Sequence, residues 1–253
     1  MRAVLAVPCS KCKPTTIAPG VPHSVVMATS YQTGPVYYLT CPAGHEERVL
    51  LGNPKHEIMF QMASYSLLDE NYWGAVSAFG TSIEEFWEFA LQCFAASKGI
   101  EPLPAPRVKR GRKKRFEEAW REVFKEEPLG TRQPPKLPVL SDEEYEIRNQ
   151  VMHEAYIPSK GEAFAFGNLI LARVSPAMQA LRWTLDGAVG TASQAIIAEA
   201  RARFHLDEPT AALGDATILL DNESMPQRTL VDYMPHLQDM DELFASIKAA
   251  QGR

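Results

Sequence analysis

The stretch "YWGAVSAFGTSIEEFWEFALQCFAAS", residues 72–97, places Val76, Phe79, Ile83, Phe86, Trp87, Ala90 and Phe94 at three- and four-residue steps. That spacing returns to one face of an α-helix with every turn, so the segment reads as a long amphipathic helix. The preceding "KHEIMFQMASYSLLDE" repeats apolar residues in the same way, and only "DEN" separates the two. Two antiparallel helices with a short link are expected, which is the beginning of a helical bundle. Asn53 followed by Pro54 reads as N-cap and first-turn residue of the first helix. Cys93 falls inside the apolar pattern and reads as core.

Ahead of this body the grammar differs. Cys9 and Cys12 form a C-x2-C pair in "PCSKCK", and Cys41 with His45 forms C-x3-H in "TCPAGHEE". Between them, "SVVMATSYQTGPVYYLT" is rich in Val, Tyr and Thr and reads as a β-hairpin turning around Gly34–Pro35. Two ligand-bearing turns joined by a hairpin suit a zinc ribbon, a closed tetrahedral and therefore structural site. His23 is an alternative fourth ligand. A redox C-x-x-C would call for a βαβ pattern, and none follows. A disulfide framework does not fit a cytoplasmic chain of 253 residues. A zinc here would staple about fifty residues that bury too little core alone.

Residues 99–140 interrupt the helical pattern. They are framed by prolines, hold one short amphipathic helix around 114–126, and read as an insertion or arm. Within them "RVKRGRKKR" carries seven basic residues, Arg107, Lys109, Arg110, Arg112, Lys113, Lys114 and Arg115, and no acid. The whole chain has 26 basic and 31 acidic residues, so a cationic cluster stands on an acidic body. It reads either as a solvated loop or as a patch for nucleic-acid phosphates. No aromatic interrupts it, so base stacking there is not indicated. No apolar run is long enough to span a bilayer, and the apolar stretch in "MRAVLAVPCS" is too short for a secretory signal. The expected location is the cytoplasm, with no membrane partner.

Beyond the insertion, Ser141 and Glu144 form a capping box. The helix they open runs through "EIRNQVMHEAYIP" to about Tyr156, where Pro158 stops it. Ile147 and Val151 make an apolar i, i+4 pair that can seat it in the core. Asn149 and His153 share a face, while Arg148 lies about 140° around the axis from His153. An imidazole can move a proton near neutrality, a guanidinium grips phosphate in a forked geometry, and an amide can orient either. The trio suits RNA cleavage through the ribose 2′-hydroxyl without a metal. "SKGE" caps the next helix, "AFAFGNLILARV", which Pro176 is expected to kink or end. "ASQAIIAEARARFHL" reads as a further helix, and the tail offers an apolar "ATILL" and a final helix near "DMDELFASIKAA". No chemistry can be assigned to the last seventy residues.

"RNQVMH" matches the R-x4-H motif of HEPN domains (higher eukaryotes and prokaryotes nucleotide-binding). "RNQVMHEAYIPSKGEAFAFG" and "NYWGAVSAFGTSIEEFWEFAL" likewise resemble prokaryotic HEPN proteins of phage-defence and toxin systems, over roughly residues 55–175. The resemblance implies a mainly α fold, a HEPN-like antiparallel helical bundle behind a small N-terminal β zinc ribbon. It implies a homodimer in which two motifs meet to form one composite site. On it, His153 is general base or acid, Arg148 holds the scissile phosphate and Asn149 orients. Glu84 matches an acidic position that orients Arg148, against its plainer reading as a solvated acid, and Tyr156 lines the cleft or belongs to the core. The implied reaction is endoribonucleolysis with no catalytic metal, leaving a 2′,3′-cyclic phosphate or 3′-phosphate, with a triggering or neutralising partner encoded elsewhere. Some HEPN domains bind without cutting. A non-catalytic nucleic-acid-binding adaptor using the ribbon and the basic arm is the alternative, and a purely structural helical protein the third reading. The expected organisation is a zinc-ribbon-like domain at 1–52, a HEPN-like domain at 53–186 and a helical extension at 187–253.

Overall fold

A computed structural model describes residues 5–8, 16–18, 21–22, 25–28, 36–40, 44–100, 111–125, 136–185, 187–204, 210–212, 229–235, 237–239 and 242. The protein is mainly helical. Its described helices include α1 (Lys55–Leu68), α2 (Tyr72–Ser97), α3 (Arg112–Val123), α4 (Asp142–His153), α5 (Lys160–Thr184) and α6 (Ala188–Phe204). Among the described residues no helix is long and apolar enough to cross a membrane.

The long amphipathic segment is the hub: α1, α3, α4, α5 and α6 all pack on α2. Val76, Phe79, Ile83, Phe86 and Ala90 are fully buried, and Trp87 and Phe94 nearly so. The fully buried Cys93 lies among them, its thiol pushed up to about 12 by burial. A Schellman-type turn ends α1, with Glu70 at φ 55 and the Asn71 N–H on the Ser66 carbonyl at 2.8 Å. Asn71 then caps α2 through Gly74 N–H at 3.0 Å. The start of α1 differs from expectation by one residue. Pro54 is the N-cap, and the Asn53 amide instead donates to the buried Glu57 carboxylate at 3.0 Å.

The short helix of the insertion is no free arm. Phe116 and Trp120 of α3 are buried against α2, Phe116 stacking on Trp87 at 6.0 Å. Both expected capping boxes form, Ser141 with Glu144 and Ser159 with Glu162. α4 stops at His153, three residues earlier than expected. Ala155 adopts φ 55, and the N–H groups of Glu154 and Tyr156 both turn back to the Gln150 carbonyl. Pro176 does not end α5, which runs on to Thr184 around buried Val174, Ala177 and Met178.

The β elements are β1 (Leu5–Pro8), β2 (Thr16–Ala18), β3 (Val21–Pro22), β4 (Val25–Ala28), β5 (Val36–Thr40), β6 (Glu46–Leu51) and β7 (Thr210–Ala212). The expected hairpin supplies two strands that pair elsewhere: β4 is antiparallel to β1, and β5 to β6. Seven residues separate β4 from β5 and five separate β5 from β6, and short connections favour hairpin pairing. β7 runs parallel to β6, with Leu50 opposite Ala211. The tail also enters the helical core, where Leu230 and Leu237 are buried and the Leu230 N–H donates to Asn168 at 2.7 Å. Residues beyond 187 thus contact both the helical core and β6. "ATILL" and most of the expected last helix lie outside the described residues.

Candidate functional site

Two helices build the site. α4 is seated by the expected pair, Val151 buried and Ile147 half-buried against the core. Trp73, near the start of α2, donates its indole N–H to the Val151 carbonyl at 3.1 Å. This fixes the end of α4 where backbone acceptors run out of helical partners. Glu144 reaches across to Arg173 of α5 at 2.5 Å. Burial raises the Glu144 pKa, but the Ser141 N–H and Arg173 outweigh it, and the carboxyl sits below its usual range.

With α4 fixed, Arg148 points at α2. Its Nη2 meets Glu84 at 3.0 Å, and its Nη1 lies 3.5 Å from the Asn149 side-chain oxygen. Tyr145, one turn earlier, donates its hydroxyl to the same Glu84 oxygen, and its ring lies 5.3 Å from the guanidinium. Burial, then the hydrogen bond to Glu84, pushes the Tyr145 pKa well up, so the phenol remains a donor. The Arg148 stem passes over Gly80, where an added Cβ would come within 2.7 Å of its Cγ. The head retains N–H groups beyond those given to Glu84 and Asn149, and its side chain is 19 % exposed.

The structure thus gathers Glu84, Tyr145, Arg148 and Asn149. His153 stands apart, exposed at the last residue of α4. Tyr156 is also elsewhere. It is exposed, and its hydroxyl donates to Glu162 at 2.8 Å, tying the link to the N-cap of α5. Sequence reading missed Tyr145, Gly80 and Trp73. Tyr145 precedes Arg148 by three residues and Gly80 precedes Glu84 by four, spacings that put each on its partner's helix face.

The basic run divides. Arg107, Lys109 and Arg110 lie outside the described residues. Arg112 is buried, pairing with Glu85 at 3.4 Å and Glu88 at 3.5 Å and donating to the Glu84 carbonyl at 3.2 Å. Burial raises the Glu88 pKa despite Arg112 beside it. Lys113 donates to the Leu140 carbonyl at 3.1 Å. Lys114 and Arg115 are exposed. Arg112 is committed to holding α3 on α2, and a loop-like reading of the run does not hold for it.

Of the expected metal ligands, Cys9, Cys12 and Cys41 lie outside the described residues, as does His23. His45 is half-buried directly before β6. Among the described residues no three potential ligands come together. No family model, no curated protein and no solved structure matches the chain.

Proposed function

We propose that the protein is a metal-independent endoribonuclease of the HEPN type, acting as a toxin or phage-defence effector. The observation that carries this reading is the anchoring of Arg148. A guanidinium on the R-x4-H helix is held at 3.0 Å by Glu84 of a neighbouring helix and braced by Tyr145, with N–H groups left for a ligand. The guanidinium is thereby held in one direction, and an oriented fork suits a phosphate.

In this mechanism His153 takes the proton of a ribose 2′-hydroxyl, and the 2′-oxygen attacks the adjacent phosphorus. The bond from phosphorus to the 5′-oxygen breaks, and that oxygen leaves with a proton from the second copy's His153. Arg148 offsets the charge gathering on the phosphate, and Asn149 holds the phosphate or the imidazole. A dimer explains why Arg148 and His153 need not converge within one chain. Trp73, Met152 and Ile157, each at least 43 % exposed around the end of α4, offer apolar surface for such a contact.

A structural zinc held by Cys9, Cys12, Cys41 and His45 belongs to the proposal. β1 ends directly before Cys9, β5 directly before Cys41, and β6 starts directly after His45, so each ligand pair follows or joins strand ends. Metal analysis of protein purified without added zinc checks this. Stoichiometric zinc lost in Cys9→Ser is expected, and metal-free protein of unchanged stability would refute it.

The catalytic reading is tested on total cellular RNA with EDTA present. Wild type is expected to leave cyclic-phosphate or 3′-phosphate ends, with cleavage reduced about 10²–10⁴-fold in His153→Ala. Equal cutting by both proteins would remove His153 from the chemistry. If neither cuts, and RNA binding instead weakens steeply with salt, the adaptor reading replaces the nuclease.

A further inference from the structure

Asp142, Tyr145, Glu146 and Asn149 occupy positions i, i+3, i+4 and i+7 of α4, the spacing at which a helix normally presents an apolar stripe to its neighbours. Here the stripe is polar, and together with Trp87 of α2 and Lys113 of α3 it lines an open cleft of about 330 Å³. That is the size range of small-molecule pockets. Two of its six lining residues, Tyr145 and Asn149, also touch Arg148.

The inventory of the cleft is specific. The Trp87 indole N–H is spent on the Pro138 carbonyl at 2.9 Å and the Tyr145 hydroxyl on Glu84. What Tyr145 has left to offer is ring surface, while Trp87, nearly buried against Phe116, adds only an apolar floor. Glu146 gives one oxygen to Gln150 at 3.1 Å and keeps the other, and Asp142 adds a second carboxylate. The Asn149 oxygen faces Arg148, which leaves its NH2 as a donor, and Lys113 has N–H groups beyond the one on Leu140. The cleft therefore combines one aromatic wall over an apolar floor, carboxylate acceptors and two donors.

From this we infer that the cleft is a base-recognition pocket for guanine, seated beside the phosphate grip of Arg148; as an RNA subsite it rests on the ribonuclease reading above. Guanine alone among the four bases presents adjacent N1–H and N2–H donors to a carboxylate while offering O6 to an amide or ammonium. Uracil would turn two carbonyls toward the acids. Adenine and cytosine offer a single amino group there. The carboxylates also keep phosphate out of the pocket, leaving it to Arg148.

The test is binding by the full chain, measured calorimetrically. The probes are the four nucleoside 5′-monophosphates and 2′-O-methyl pentanucleotides differing only in a central guanine, adenine, cytosine or uracil. Guanine is expected to bind about tenfold or more tightly than the others, and Glu146→Gln, on an exposed side chain, to erase most of that preference. Tighter binding of the guanine pentamer than of guanosine monophosphate assigns the pocket to RNA. Equal binding overturns that assignment and makes it a mononucleotide site. Binding with no base preference, or none, overturns the pocket. RNA cleavage without guanine preference sinks the pocket and spares the nuclease. Guanine-selective binding without cleavage does the reverse.

Discussion

His56 and Arg148 are two ionisable side chains drawn into the same bundle by opposite means. His56, in the first turn of α1, is fully buried with its ring 5.6 Å from that of Phe86 and 5.1 Å from that of Phe89. Among the described residues neither ring nitrogen has a hydrogen-bond partner, and burial lowers its pKa to about 3. Arg148 is half-buried, paired with Glu84 at 3.0 Å, and the chain spares room for its stem at Gly80. A strongly perturbed group is often a sign of chemistry. Here the perturbed group, His56, is fully buried beside two aromatic rings, and a substrate has no way to meet it. Arg148 combines a partner, a fixed direction and an open edge. Burial without access is a matter of stability, while orientation with access is what a reaction can use.

The sharpest way to break this contrast is to exchange charge for shape. Arg148→Lys keeps the positive charge but loses the planar fork that spans Glu84 and a phosphate. RNA cleavage is expected to fall about 100-fold, equivalent to about 2.7 kcal/mol, with the fold intact by circular dichroism. His56→Leu should cut RNA at pH 7 as wild type does. Equal activity in Arg148→Lys would show that a point charge suffices and that the Glu84 geometry is incidental.

Acid stability separates the two groups from the other side. An unfolded His56 takes a proton near pH 6.5, whereas the folded one resists until about pH 3. Between those values the unfolded chain binds the extra proton, so stability is lost as pH falls and regained as it rises. By pH 4.5 the loss from this residue is about 2–3 kcal/mol. Urea titrations at pH 7 and pH 4.5 should show wild type losing that much more than His56→Leu. Parallel losses would mean that His56 finds a partner or a solvent path in the folded protein.

How much of this was legible depends on the range of the forces. The helices were, because a 3.6-residue apolar period and S-x-x-E boxes are local: Phe79, Ile83 and Phe86 had to face inward, and Ser141 and Ser159 cap as spaced. Strand pairing was not, since β4 and β5 carry β-formers but nothing local says whether each meets the other, β1 or β6. Nor was the joining of β7 to β6, across a separation of about 160 residues. At the site, the R-x4-H helix was readable from its residues. The brace was not, since Tyr145 and Glu84 meet across 61 positions. Arg112 misled for a related reason. A guanidinium in a basic run looks solvated until the helix register turns it onto Glu85 and Glu88.

Gly80 offers the finest test, because it alters the site without touching any of its polar atoms. In an ordinary helix interior Gly→Ala stabilises by about 1 kcal/mol, through the backbone freedom it removes from the unfolded chain. At this position the new Cβ would lie 2.7 Å from the Arg148 Cγ, which is the stem of the side chain and cannot swing away as a tip can. Overpacking of that kind costs about 1–3 kcal/mol. The two terms nearly cancel, so Gly80→Ala should shift stability by no more than about 1–2 kcal/mol, on the destabilising side. Cleavage responds differently, because relieving the clash moves the guanidinium off Glu84 and misaims the fork. The expected signature is activity lost out of proportion to stability, read by urea titration and RNA cleavage on the same preparation. A variant that is about 1 kcal/mol more stable and cuts RNA as wild type does would mean that the Arg148 stem does not lie over Gly80 in solution.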